Sequence, residues 1–132
     1  PPMKTYPNLS GLFLMGRMRF LETGEYIKIA TTSKVLLRIT NMATGVTVDL
    51  GEQTVANVVK DTLQTGQGWG KSVGWNLGLT LPASARPAGG IGTPIIYVAE
   101  ALVFPLAGQP VAKEWEIPTL ALKGYDASVL DG

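Results

Sequence analysis

The residues able to do chemistry in this chain are few, and their types exclude more than they suggest. There is no histidine and no cysteine among the 132 residues. Ser-His-Asp or Cys-His catalysis, thiolate chemistry, disulfides and His-ligated metals are therefore absent. Ten carboxylates remain, enough in principle for a glycosidase pair. Most sit in turns or at polar positions. Glu100 is the exception, flanked by Ala99 and Ala101 in an apolar run. A carboxylate placed there requires a cation such as Arg38 or Lys34, which points to an ion pair or an interface contact rather than to catalysis.

Three motifs carry a hint of ligand binding. Gly70-Lys71-Ser72 has the ending of a phosphate-binding loop, but that loop needs four residues between its first glycine and the Gly-Lys-Ser. Gly66 is one residue too close, and position 65 is Thr65. The sequence after Lys71 also alternates as a strand, where the phosphate loop opens a helix. Gly89-Gly90-Ile91-Gly92 lacks the surrounding βαβ pattern of a dinucleotide fingerprint and reads as a loop. Trp69, Trp75 and Trp115 could form a sugar-stacking platform. Trp75 and Trp115 alternate with apolar neighbours and read as core, leaving Trp69, in a glycine-rich loop, as the one exposed candidate. No catalytic, cofactor-binding or metal-binding residue is expected, and the chain is expected not to be an enzyme.

Charge narrows the partners. Eleven Lys and Arg are scattered against ten Asp and Glu, for a net charge of +1. The longest basic cluster is Arg17-Met18-Arg19, with no stripe to neutralise phosphates, so nucleic acid is not an expected partner. No apolar run reaches the roughly 18 residues of a membrane helix, and Pro1-Pro2-Met3-Lys4 does not resemble a signal peptide. Only 16% of residues are charged, against about 25% in typical domains. Either small polar residues and glycine cover such a surface, or another subunit does.

The elements that would position these residues are strands. Sixteen glycines and nine prolines punctuate short apolar runs. From Lys71 to Leu81, Val73, Trp75, Leu77, Leu79 and Leu81 fall on one face, and Ser72, Gly74, Asn76, Gly78 and Thr80 on the other. Lys34 to Asn41 places Val35, Leu37 and Ile39 inward. Ala43-Thr44-Gly45 turns it into Val46 to Leu50 as a hairpin. Glu25 to Ala30 reads as a short strand. Gln53 to Lys60 reads as a strand rather than helical turns, because Thr54, Val55, Val58 and Val59 are β-branched. Ile95 to Phe104 is apolar on both faces, and Val111 to Ile117 alternates. Residues 82–94 form a loop, and 105–110 a hairpin turn. About seven to eight short strands in one domain predict an all-β antiparallel sandwich or jelly roll.

Two arms flank that domain, which spans residues 12–117. Residues 1–11 hold three prolines and no regular pattern. Residues 118–132 fit no strand, since Pro118 should interrupt the last one. Yet they carry Leu120, Leu122, Tyr125, Val129 and Leu130. An apolar tail must find a surface, on its own domain or on a neighbour, and the arm is expected to reach a neighbouring subunit. These five residues and Trp69 are the interface candidates.

The stretch Lys34 to Asp49, KVLLRITNMATGVTVD, resembles the strand-turn-strand opening of small β-sandwich modules in tailed-phage particles. Leu81 to Pro110, LPASARPAGGIGTPIIYVAEALVFPLAGQP, is similar to their closing part, in which a Pro/Ala-rich loop leads into a Tyr-containing strand and a short hairpin. The resemblance fits capsid decoration proteins and tail or fibre adaptor modules equally. It implies a non-enzymatic virion protein whose partners are other virion proteins and copies of itself. The alternative reading is a carbohydrate-binding β-sandwich.

Overall fold

Alternating hydrophobicity demands two apolar sheet faces pressed together, and the computed structural model has that architecture. It describes residues 6–7, 11–87, 93–120 and 128–131. The strands are β1 (Tyr6–Pro7), β2 (Leu12–Gly16), β3 (Thr32–Asn41), β4 (Thr47–Gln53), β5 (Val59–Gln64), β6 (Trp75–Leu81), β7 (Ile95–Pro105), β8 (Val111–Leu120) and β9 (Ser128–Asp131). One sheet has the order β1-β8-β7-β3-β4, and the other β5-β6-β2-β9. The seven strands β2 to β8 pair antiparallel, while the terminal β1 and β9 add in parallel at the edges. The chain is thus a small β-sandwich.

Period two decides which side chains meet. Val35, Leu37 and Ile39 of β3, Tyr97, Ala99, Ala101 and Val103 of β7, and Trp115 and Ile117 of β8 are buried in one cluster. Leu12 and Leu14 of β2 and Leu77, Leu79 and Leu81 of β6 complete it. Each such large side chain contributes about 1.5–3 kcal/mol over its exposed state. Volume is balanced across the ladder. The small Ala99 is registered beside Trp115, whose indole N–H donates to the Met15 carbonyl of the opposite sheet at 2.9 Å.

The β3–β4 hairpin closes as its turn residues require. Gly45 N–H donates to Asn41 O at 2.8 Å, the Asn41 side chain accepts from Ala43 N–H at 2.9 Å, and Gly45 holds φ +77°. On β4 the register slips between Asp49 and Glu52. That bulge blunts an exposed sheet edge against pairing with other chains. The loop after β6 is pinned by a buried arginine. Arg86 donates from Nη1 to Thr119 Oγ1 at 3.1 Å, and the Tyr97 hydroxyl donates to Pro87 O.

Four sequence expectations are corrected. Glu25 to Ala30 is not a strand: Tyr26 makes one isolated bridge with Arg19, and Ile29–Thr31 form a 3-10 turn. Gln53 to Lys60 breaks into the end of β4, one helical turn α1 (Val55–Val58) and the start of β5. The inward positions Val55, Val58 and Val59 follow a helical i, i+3, i+4 spacing, which outweighs β-branching. Val73 is exposed and β6 begins at Trp75. Pro118 does not end β8, which continues to Leu120 with Pro118 registered on Ile96. Near the strand end the missing N–H costs at most one ladder bond.

Candidate functional site

The interface candidates are not brought together. Leu120 is the last residue of β8, in the five-stranded sheet, whereas Val129 and Leu130 belong to β9 in the other sheet. Val129 is registered on Phe13 and Leu130 on Leu14 of the same chain. The expectation that the C-terminal arm fits no strand and reaches a neighbouring subunit is corrected for its last part: Ser128–Asp131 pair as β9 along β2 of the same chain, supplying hydrogen-bond partners to what would otherwise be an open edge. Leu122 and Tyr125 lie outside the described residues. Trp69 is half-buried in the loop before β6. Its indole N–H donates to Val73 O at 2.7 Å, and Lys71 Nζ stands 5.1 Å from its ring centroid. Gly70-Lys71-Ser72 leads through this loop into β6 and opens no helix. Gly89 to Gly92 lie outside the described residues.

Trp75 is buried at 5% exposure, yet not in the inter-sheet cluster. Its ring meets Phe13 edge-on, with centroids 5.4 Å apart. Both rings lie over Gly78, where an added Cβ would fall 2.5 Å from Phe13 Cζ and 2.7 Å from Trp75 Cζ3. The pair covers the outer face of the smaller sheet. A hollow of about 350 Å³ opens beside it, lined by Phe13, Trp75, Gln64, Gln67, Asn57 and Lys60.

Glu100 has the cation its position required. Arg38 Nε and Nη2 lie 2.6 and 2.5 Å from Glu100 Oε1 on the outer face of the larger sheet. Both side chains are partly solvated, so the pair is worth at most about 1 kcal/mol. Among the described residues, no group of three or more Asp, Glu, His or Cys is placed to hold a metal.

The strongest feature was spread along the sequence and escaped it. At one end of the sandwich, the segment between β2 and β3 faces the β7–β8 turn across a groove of about 460 Å³. Phe20, Tyr26, Pro105, Pro110 and Val111 line it, and Leu21 and Leu106 stand on its rim at 87% and 70% exposure. Two leucines this exposed beside an apolar groove form the most apolar exposed feature at this end of the sandwich.

Local bonds hold the walls. Phe20 N–H donates to Glu25 O at 2.9 Å and Gly24 N–H to Phe20 O at 2.8 Å, closing a tight turn that projects Leu21. Arg19 Nη1 donates to Gly24 O at 2.9 Å, with its guanidinium carbon 3.8 Å from the Tyr26 ring centroid. Glu22 latches the two walls by accepting from Gln109 N–H at 3.3 Å. Gly108 makes room for that carboxylate. It holds φ +110°, and a Cβ there would lie 2.8 Å from Glu22 Oε1.

A buried amide anchors the same segment to the sheet. Asn76, expected on the solvent side of β6, is 1% exposed. Its Oδ1 accepts from Met18 N–H at 2.8 Å, and its Nδ2 donates to Met18 O at 3.0 Å. The groove is therefore held in shape from both walls, and its lining is mainly apolar, with Glu22, Glu25 and Thr23 at its edge. Compared with protein-family models, curated proteins and solved structures, the chain finds no match.

Proposed function

We propose that the chain is a non-enzymatic structural protein of a tailed-phage virion, a capsid decoration or tail- or fibre-associated protein, acting through assembly with copies of itself and other virion proteins. The observation that carries the assembly reading is the latched groove with Leu21 and Leu106 on its rim. Burying each leucine in a partner releases roughly 1.5–3 kcal/mol. The low charge content supports the same reading. The phage context rests on the resemblance of Lys34 to Asp49 and Leu81 to Pro110 to virion sandwich modules.

The test is sedimentation velocity over a concentration series, comparing the intact chain with Leu21→Asp/Leu106→Asp. The reading expects concentration-dependent multimers whose association the double variant weakens at least about tenfold, with unchanged circular dichroism and thermal midpoint. A monomer at every concentration overturns self-assembly through this groove. A second reading, a carbohydrate-binding module, is favoured by the hollow beside Phe13 and Trp75, where Gln64, Gln67 and Asn57 supply amides. It does not rest on Trp69, whose indole N–H is already bonded and whose ring carries Lys71. Retention on a polysaccharide gel, lost in Phe13→Ala, would favour it.

A further inference from the structure

Two clusters of like charge, opposite in sign, sit on different surfaces of the chain. The first gathers Arg17, Lys71 and Lys113. Lys113 is half-buried, with its aliphatic stem along Gly16, where an added Cβ would lie 3.2–3.4 Å from the side-chain carbons. Arg17 follows Gly16 directly. Burial pushes the Lys113 ammonium below the ordinary lysine range, and Lys71 and Arg17 push it further the same way. Among the described residues, both charges acting on it are cations. This arrangement costs energy in the isolated chain, since a half-buried ammonium ordinarily has an anionic partner.

The second cluster lies on the outer face of the larger sheet. Glu100 and Glu114 are registered directly opposite each other on β7 and β8, a like-charge cross-strand pair that weakens a sheet. Glu116 follows two residues along the same face. Arg38 engages Glu100, so that among the described residues these three carboxylates share one guanidinium. Lys34 stands elsewhere on β3, over the Phe104 ring at 4.6 Å. Glu100, Glu114 and Arg38 line a hollow of about 510 Å³, roomy enough for long basic side chains. Lys113 and Glu114 are sequence neighbours on opposite faces of one strand, so the two clusters cannot neutralise each other within one chain.

We propose that the cationic cluster of one copy docks on the Glu100–Glu114–Glu116 face of a second copy, forming a head-to-tail contact. Resting on the reading that the chain self-assembles, this inference specifies a second interface and its symmetry. The two patches differ, so the contact is heterologous and generates a ring or an open array rather than a closed two-fold pair. Complementary charge also fixes register and hastens encounter.

The experiment uses two full-length variants, Arg17→Glu/Lys71→Glu and Glu114→Lys/Glu116→Lys, studied alone and mixed by sedimentation velocity at low and high salt. Each alone should associate at least about tenfold more weakly than the unaltered chain, and an equimolar mixture should restore association, because each variant patch then faces an opposite charge. Raising the salt should weaken the unaltered assembly. If both variants assemble as the unaltered chain does while Leu21→Asp/Leu106→Asp abolishes assembly, the charge contact is overturned and the groove reading stands. If both lose assembly but mixing fails to restore it, the pairing of these two patches is overturned. A chain monomeric throughout overturns both readings.

Discussion

Replacing Asn76 by Ala removes two hydrogen bonds that tie the groove-bearing segment to β6. Met18 N–H loses its acceptor at 2.8 Å, in a residue only 6% exposed. Met18 O loses the donor at 3.0 Å but keeps Ile27 N–H at 3.3 Å. The two losses are therefore unequal. An orphaned buried N–H costs about 1–3 kcal/mol, and one further net hydrogen bond about 1 kcal/mol, so Asn76→Ala should destabilise by about 2–4 kcal/mol. A domain of this kind has about 5–15 kcal/mol in total. Guanidinium denaturation followed by tryptophan emission measures the change. The midpoint should fall at constant m, and native-state hydrogen exchange at Met18 and Phe20 should quicken more than at Leu79. A loss below about 1 kcal/mol would refute the anchoring role.

Trp75→Phe should cost less than Trp115→Phe in the same titration: the Trp75 indole N–H is buried without a partner among the described residues, whereas that of Trp115 donates to Met15 O. Gly78→Ala should destabilise by roughly 1–3 kcal/mol through overpacking, with partial rescue by Phe13→Leu, since the new methyl would meet the Phe13 and Trp75 rings. Lys113→Met should raise the thermal midpoint. Burial first, then Lys71 and Arg17, lower the pKa of Lys113 in the folded chain; the unfolded chain then binds more protons below the ordinary lysine pKa, so stability rises with pH there, and calorimetry should show less of this rise in the variant.

What the sequence disclosed was periodicity. Val35, Leu37 and Ile39, and Leu77, Leu79 and Leu81, alternate so regularly that their strands and inward faces could be read directly. Leu12–Gly16 escaped because Leu-Phe-Leu-Met is apolar at every position, so the alternation that would mark a strand is hidden. Both faces there are covered: Leu14 packs in the core and Met15 is fully buried. Asn76 and Pro118 were misplaced for a tertiary reason. The Asn76 side chain bonds the backbone of Met18, just beyond the end of β2, and the ladder with β7 carries Pro118 onward as strand. The candidate site was the least legible. Leu21 and Leu106 each look like an ordinary turn residue, and only the β3–β7 and β7–β8 ladders bring their turns together. Charge clusters are hidden the same way, since Arg17, Lys71 and Lys113 belong to three distant segments.

Assembly through this groove is open to measurement by hydrogen exchange of the intact chain, from dilute to concentrated solution. Backbone amides of residues 20–26 and 106–111 should become more protected as concentration rises, while those of β6 stay unchanged. Exchange in these two segments that is the same at every concentration, while multimers form, would contradict it.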